Sequence, residues 1–443
     1  MKAVWIVLIW LAVFSFRLSS SFQAEGNLRE KSGNYVTVVG RVSSEPILQG
    51  GGQRFNLGNM TVYTKLYPQY EYGQEVQVSG TLQSKVVNKW YSRFSLMYPS
   101  IKPVKSDNLK IIGFNWKAKI MELRRKIESV YNQVLPEPEA SLLAGVVLGS
   151  KRGLPRGFYE DLRTTGTLHI VVASGFNVMI VISFVVKALA GIFKRWQAVF
   201  MGILAVIGYT VMAGAEPAIV RAAIMGSLAF FGQIIGRKGD SMRLLLMAVM
   251  GMLLYKPILV WDVGFQLSVA ATLGLMFISP LLKGVFDKII FVGENMSETI
   301  SAQIMVWPIL MIYFNNLSLF SVVVNSLVLW LVPVLMTWGA ILALVGLLFS
   351  GGWFSFLVKG VGWICYAGLT MMVRVIEWFG GITTKVPNYL SLTLQVAESS
   401  EPKSTINWWW AAGYYVVLSI IIWRYMKVPS QRRAGATFMR KER

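Results

Sequence analysis

A chain of 443 residues that is 54% hydrophobic and only 15% charged is too apolar for a soluble globular protein of its size. We therefore expect an α-helical polytopic membrane protein. The net charge of +21 needs an explanation by location, and the single cysteine, Cys365, excludes an intramolecular disulfide.

Residues 1–22 are predicted to be a membrane anchor or a signal segment. Lys2 precedes an apolar run from Ala3 to Phe16, which is short for a membrane span. An uncleaved anchor is favoured slightly over a signal peptide that is removed. Both alternatives place the residues that follow outside the cytoplasmic membrane.

Residues 35–106 are predicted to form an external all-β domain of the OB type. Tyr35 to Val42 and Glu75 to Leu82 alternate between apolar and polar residues, which is typical of antiparallel strands. A region of about seventy residues with five or six short strands fits a small barrel. The turn signals between the strands are Gly50 to Gly52, Leu57 to Asn59 and Tyr72 to Gln74.

Residues 114–150 are predicted to hold an amphipathic helix followed by a short apolar helix. The first helix could lie on a bilayer surface or against a helix bundle. Pro136 and Pro138 end it, and the second helix, Glu139 to Gly149, is too brief to span a bilayer. The apolar residues at helical spacing in the first helix are Ile120, Leu123, Ile127, Val130 and Tyr131.

Residues 163–425 are predicted to be the transmembrane domain. The segment that contains Pro333 is long enough to be a broken helix, or a short re-entrant piece followed by a span. With the β domain outside, the basic loops and the basic tail 426–443 fall on the cytoplasmic side, as the positive-inside rule requires. We therefore expect a multi-pass protein of the cytoplasmic (inner) membrane. The apolar segments lie at 167–192, 196–213, 218–236, 242–259, 262–282, 299–315, 318–349, 353–380 and 407–425.

The external stretch from Gln23 to Arg163 carries charge that membrane insertion does not require. It holds twenty Lys/Arg against twelve Asp/Glu. Aromatic residues lie between its basic residues, a pattern typical of OB folds that bind single-stranded nucleic acid. Contact with anionic lipid headgroups, or plain solvation, is the alternative. The predicted DNA-binding residues are Arg41, Arg54, Tyr63, Lys65, Lys85, Lys89, Trp90 and Arg93.

Four motifs follow one another along the chain: Ala144 to Gly149 with Arg163 to Gly175; Gly214 to Met225; Trp261 to Ala271; and Trp307-Pro308 with Phe314, Asn325 and Pro333. In order and spacing they resemble the ComEC family, the DNA internalisation channels of bacterial natural transformation. The resemblance extends over about Tyr35 to Trp423. It implies a membrane channel, not an enzyme, that translocates single-stranded DNA across the cytoplasmic membrane.

The chain departs from the family pattern in two respects. Ser174-Gly175-Phe176-Asn177-Val178 stands where the family usually has Ser-Gly-Leu-His-Val, and Asn177 can form hydrogen bonds but cannot titrate. Longer relatives carry an external metallo-β-lactamase-like domain after the bundle. With one histidine in total, this chain cannot build a histidine-rich di-metal site. We expect a short member that binds no metal and no cofactor.

Polar residues within the apolar segments predict a channel lining, although each has a structural alternative. Amide groups freed at a helix break at Ser174-Gly175 could face an anion, or the small residues could pack helices. Arg221 could meet phosphates or form a structural ion pair. The nine predicted lining residues are His169, Ser174, Gly175, Asn177, Glu216, Arg221, Asp262, Gln266 and Asn325.

Energy and partners must come from elsewhere, because the sequence has no Gly-x-x-x-x-Gly-Lys-Ser/Thr loop for nucleotide hydrolysis. The family resemblance implies a cytosolic ATP-driven translocase or strand-coating proteins, an external DNA receptor and a separate nuclease. The alternative function is a transporter or flippase of small anionic solutes or lipids, whose external domain would bind headgroups. A membrane enzyme is poorly supported, since no acid–base pair or nucleophile constellation stands out.

Overall fold

The computed structural model describes residues 2–44, 46–49, 52–88, 91–103, 116–150, 153–171, 174–237, 239–286, 293–313, 320–349, 355–385 and 408–439. It is mostly helical, with strands confined to a region near the N-terminus. The chain divides into two compact units, which are described separately. The first comprises Met1–Pro155, His169–Asp262 and Pro333–Thr370, and the second comprises Arg156–Leu168, Val263–Val332 and Met371–Arg443.

The N-terminal helix, α1 (Lys2–Glu30), is longer than the apolar run predicted there. It continues without a break through the serines at 19–21, two of which donate side-chain hydrogen bonds to backbone carbonyls four residues earlier. Its apolar half packs within the first unit, to which it belongs, and Trp10 Nε1 donates to the carbonyl of Met250 at 3.3 Å. Its role as an anchor or a signal segment stays a prediction.

The predicted all-β region is a β half-barrel of seven strands. Its sheet runs in the order β1-β5-β6-β4-β3-β2, and β7 pairs with β5. The pairing of β4 with β6 is parallel, whereas the other pairs are antiparallel. The strands are β1 (Tyr35–Arg41), β2 (Ile47–Gln49), β3 (Gly52–Leu57), β4 (Met60–Lys65), β5 (Glu75–Asn88), β6 (Tyr91–Met97) and β7 (Ser100–Pro103).

The core of the half-barrel follows from the period-two alternation of its strands. Every second residue of β3 is buried, beginning with Gln53, because successive side chains of a strand point to opposite faces. An isolated bridge between Val42 and Leu57 joins the end of β1 to β3. The buried apolar residues include Phe55, Val62, Val76, Val78, Leu82 and Leu96.

The predicted amphipathic helix is confirmed as α2 (Trp116–Val134), and the short apolar helix as α3 (Glu139–Leu148). The buried face of α2 differs from the predicted one, because Leu123 is 44% exposed while Arg124 is buried. Arg124 tolerates burial because its Nε donates to Glu128 at 3.1 Å and its Nη1 to the carbonyl of Met212 at 2.6 Å. Of the two predicted positions, α2 occupies the one against other helices, since Tyr131 donates to the carbonyl of Gly339.

Five segments, among the residues described, are long and apolar enough to cross a membrane. Four are single helices, Arg195–Met212, Pro217–Ile234, Leu331–Phe349 and Ser355–Ile382, and the fifth, Leu168–Leu189, is interrupted at Ser174. The predicted segments 242–259 and 262–282 form shorter helices. The segment with Pro333 is broken, as predicted, between α13 and α14. The helices are α4 (Arg156–Thr164), α5 (Leu168–Val171), α6 (Gly175–Leu189), α7 (Arg195–Met212), α8 (Pro217–Ile234), α9 (Ser241–Tyr255), a 3₁₀ helix (Pro257–Trp261), α10 (Val263–Phe277), α11 (Ser279–Phe286), α12 (Gly293–Tyr313), α13 (Phe320–Val328), α14 (Leu331–Phe349), α15 (Ser355–Lys385) and α16 (Trp408–Met439).

Close packing of α6, α7 and α8 forms the framework of the first unit. Val178 and Ile182 of α6, Val206 of α7 and Ile219 of α8 belong to one buried cluster. Gly202 of α7 permits close contact, because a Cβ there would lie 2.8 Å from a side-chain atom of Val186. This packing fixes the start of α6 against the start of α8.

Candidate functional site

The helix break predicted at Ser174-Gly175 is present in the first unit. Ser174 precedes α6 in an extended conformation, with φ −103° and ψ 169°, and α6 begins at Gly175. The first backbone N–H groups of a helix have no partner within it, and the helix dipole makes that end positive. The break therefore creates a positive helix end between two apolar segments.

Gly175 brings the start of α6 into close contact with α8. A Cβ at this position would lie 3.1 Å from Cβ of Ala222 and 3.7 Å from Nη2 of Arg221. Only a residue without a side chain allows this approach without displacement. The guanidinium of Arg221 consequently lies beside the first turn of α6.

Arg221 is buried in α8, with 9% of its surface exposed. It lies about one helical turn after Pro217, the first residue of α8, and Glu216 precedes that proline in an extended conformation. A fixed cation and a positive helix end at one buried place reinforce each other, because low-dielectric surroundings screen them weakly. This arrangement favours an anion such as a phosphate.

Asn177 connects the start of α6 to α3. Its side chain is 1% exposed, and its Nδ2 donates to the carbonyl of Val146 at 3.0 Å. Ser174 Oγ donates to Asn177 Oδ1 at 3.0 Å. α3 also packs closely against α5, since a Cβ on Gly145 would collide with the side chain of Val171. Both hydrogen bonds of Asn177 hold the break in place; a lining role for this residue stays a prediction.

No contact described here joins the other predicted lining residues to the start of α6 and Arg221. His169 is exposed on α5, and Asp262 is half-buried directly after the 3₁₀ helix. In the second unit, Gln266 of α10 hydrogen-bonds to the hydroxyl of Tyr313. Asn325 of α13 is buried, and its Oδ1 accepts no hydrogen bond from the residues described. The second unit thus has polar groups of its own within apolar helices.

The predicted DNA-binding residues of the half-barrel lie at several places on its sheet. Arg54 and Tyr63 are direct cross-strand partners on β3 and β4, where Arg54 is exposed and Tyr63 half-buried. Lys65 is exposed at the end of β4. Arg41 is engaged by Glu75, with 2.7 Å between Nε and Oε1. Lys85 and Arg93 are register partners on β5 and β6. Lys89 and Trp90 lie outside the residues described.

Among the buried polar residues that the sequence interpretation missed, Arg124 and Gln53 form several hydrogen bonds. Arg124 shares the helical spacing of Ile120 and Ile127, and this spacing, with Glu128 four residues later, was the available signal. Gln53 is 2% exposed, and its side chain bonds to the carbonyls of Lys65 and Pro68. Its parity with Phe55 and Leu57 along β3 indicated an inward side chain. Neither residue belongs to the cluster around Arg221.

Comparisons with known proteins match the helical part of the chain that contains Arg221 and the start of α6. The family model described as "Competence protein" matches residues 146–427. ComE operon protein 3 of Bacillus subtilis (strain 168) is 26% identical over 215 residues, which are 48% of this chain and 27% of that relative. The uncharacterized protein YcaI of Escherichia coli (strain K12) is 23% identical over 231 residues, which are 46% of this chain and 29% of that protein. The matches thus span less than a third of either relative. No solved structure matches the chain.

Proposed function

The chain belongs to the competence protein family, and from that premise we propose that it is a membrane channel for single-stranded DNA in natural transformation. Membership confirms the resemblance inferred from the four motifs and supports a role in competence and DNA uptake. The finer statement, that the chain is itself the channel and not an enzyme or an accessory protein, is our proposal. Because the matched relatives are much longer, their whole activity is not carried over.

Placement in a membrane is supported by the surfaces of the apolar helices, and the cytoplasmic membrane is part of the proposal. Large apolar side chains lie exposed on the candidate spans, among them Phe184 of α6, Phe200 and Leu204 of α7, and Leu348 of α14. Such surfaces are unfavourable in water and suitable for a lipid environment. We propose a multi-pass protein with the half-barrel outside and the C-terminal tail in the cytoplasm.

One observation carries the transport proposal: the guanidinium of Arg221 lies beside the positive end of α6. Broken helices whose N-termini face anionic groups are a feature of membrane transport sites. A phosphate chain that crosses about 30 Å of hydrocarbon needs amide dipoles, water and a few fixed cations along its path. A sparse lining of this kind would shield phosphates without trapping the strand.

The half-barrel supports single-strand binding through its strand order. The Val42–Leu57 bridge pairs the end of β1 with β3, and the parallel pair joins β4 to β6. Neighbouring strands are therefore paired in the order β1, β3, β4, β6, β5. We propose that this is an OB-type arrangement, in which β3 and β4 are the second and third strands. OB folds bind oligonucleotides on the face of these strands and in the loop before the last strand. Arg54 and Tyr63 lie on β3 and β4, and Lys89-Trp90 lies between β5 and β6.

Partners would supply the steps that the chain does not perform. We propose that an external DNA receptor delivers DNA and that a separate nuclease removes one strand. A cytosolic ATP-driven translocase or strand-coating proteins would pull the other strand inward. The chain would provide the path through the membrane and the first basic surface at its mouth.

The proposal is tested by measurement of DNA uptake in the natural host. The gene is deleted and then returned in one of three forms: wild type, Arg221→Ala or Arg243→Ala. Arg243 is the matched control, because it is exposed on α9 and pairs with Asp240 at 3.3 Å. We expect Arg221→Ala to lower uptake at least about tenfold, since a buried charged contact contributes ~2 kcal/mol or more. Arg243→Ala should behave as wild type, with equal protein in the membrane fraction.

Normal uptake by a stably inserted Arg221→Ala variant would contradict the role of Arg221. Normal uptake after deletion of the gene would contradict the function itself. A deletion strain that takes up DNA but loses transport of a small anionic solute or a lipid would favour the transporter alternative.

A further inference from the structure

A cavity of about 400 Å³ lies in the first unit between the C-terminal ends of α2 and α14 and the first turns of α15. Val134, Phe349 and Val358 contribute to its apolar walls. Two glycines bring the helices close together around it, since a Cβ on Gly346 or Gly362 would collide with the side chain of Val130 or Val134, respectively. Its size lies within the usual range of small-molecule sites.

Besides Gln133 of α2, the polar groups that line the cavity form a stripe on α15. Ser355, Lys359, Trp363 and Tyr366 all line it and recur every three or four residues, so they share one face of the helix. The rings of Trp363 and Tyr366 pack edge to face at 6.1 Å. Lys359 is exposed and forms no ion pair with any carboxylate in the part of the chain that the structure describes. The site thus offers one cation next to an apolar cavity.

α15 carries exposed apolar side chains both at the cavity and on the rest of its surface. Trp363 is 73% exposed, and Phe356, Leu357 and Ile364 of the same helix are also exposed. A mouth on such a surface opens to lipid rather than to water if α15 spans the membrane. Lysine next to tryptophan and tyrosine on a span is the combination found at the level of lipid headgroups.

We propose that this cavity binds one anionic phospholipid. The lipid phosphate would pair with Lys359, and an acyl chain would lie along the apolar wall formed by α2 and α14. The phosphate supplies the negative charge that Lys359 lacks among the described residues, while a zwitterionic lipid supplies no net charge to match it. The inference goes beyond DNA transport and rests only on the proposed membrane placement.

The test uses the full chain, reconstituted into nanodiscs that contain equal amounts of phosphatidylglycerol and phosphatidylcholine. After extraction with detergent, native mass spectrometry identifies the lipid that stays bound. We expect the wild type to retain phosphatidylglycerol about tenfold over phosphatidylcholine, the factor expected for one charge-assisted hydrogen bond. Lys359→Gln should lose this preference, and Lys359→Arg should keep it.

Two further variants make the result specific to the cavity. Ser355→Trp adds bulk at an exposed lining position without a change of charge, and it should lower retention of phosphatidylglycerol. Lys187→Gln is the matched control, because Lys187 is an exposed lysine on the candidate span α6 and does not line the cavity. It should retain lipid like the wild type.

Equal retention of both lipids by the wild type would overturn the proposal, as would an unchanged preference in Lys359→Gln or an equal loss in Lys187→Gln. Displacement of the lipid by millimolar glycerol phosphate would assign the cation to a soluble phosphate instead. A wild-type chain absent from the membrane fraction would overturn the membrane placement and the lipid site together, whereas failed DNA uptake would leave the lipid site intact.

Discussion

In the β half-barrel, the basic side chains of Arg54 and Lys65 are exposed to solvent. In the helical region, by contrast, the side chain of Arg221 is buried beside the start of a helix. Water screens the exposed cations, so each contributes little and several must act together to bind a polyanion. A buried cation is screened weakly, so a single residue has a large effect. Under the proposed function, the two regions would therefore have different tasks: collection of DNA at a surface and passage along a narrow path.

The largest expected effect tests the buried side of this comparison. Gly175→Val places methyl groups where even a Cβ would lie 3.1 Å from Ala222, and must displace α6 from α8. Overpacking of this kind costs about 1–3 kcal/mol, and we expect DNA uptake to fall at least about tenfold. Uptake is measured at equal protein abundance in the membrane fraction.

Gly208→Val is the control for that substitution. Gly208 lies within α7, and a Cβ there would meet no atom within 4 Å. The same replacement of glycine by valine at Gly208 should therefore leave uptake close to wild type. An equal loss in both variants would show that a valine in this helical region, and not the approach of α6 to α8, decides the result.

A smaller effect is expected on the exposed side. Arg54→Ala should weaken binding of a labelled single strand by the solubilised chain about three- to tenfold. The slope of log binding constant against log salt concentration should become smaller in magnitude by about 1. Arg41→Ala should have less effect, because Glu75 already engages Arg41 at 2.7 Å. Titrations over a salt series measure both quantities. Equal losses in the two variants would contradict single-strand binding centred on β3 and β4.

The smallest effect concerns Asp161 on α4, outside the candidate spans. Burial raises the pKa of its carboxyl, with a further contribution from Glu160. An acid whose pKa is raised by folding destabilises the folded state once pH exceeds that pKa, and the penalty disappears as pH falls through it. Asp161→Asn should therefore raise the unfolding temperature slightly at pH 7, with a difference that shrinks on acidification.

Thermal unfolding in detergent between pH 4 and pH 8 checks this expectation. Glu160→Gln is the control, because the Glu160 side chain is largely exposed and pairs with Arg163. It should show no comparable pH-dependent gain. A difference between wild type and Asp161→Asn that grows on acidification would contradict the assigned direction of the pKa.

Local patterns in the sequence predicted the strands, the break at Ser174-Gly175 and the interruption before Pro333, because each follows from neighbouring residues. Contacts between distant segments could not be predicted in this way. Gln53 has the parity of an inward position, but its partners at Lys65 and Pro68 depend on the path of a loop. The approach of Gly175 to Arg221 likewise depends on how α6 and α8 pack, which neither motif specifies alone.

The presence of an asparagine, which does not titrate, at position 177 has a consequence for the response of this region to pH. Asn177 ties α6 to the carbonyl of Val146 through an amide that neither gains nor loses a proton in the physiological range. The hydrogen bond between α3 and α6 therefore does not depend on the protonation of the residue at position 177.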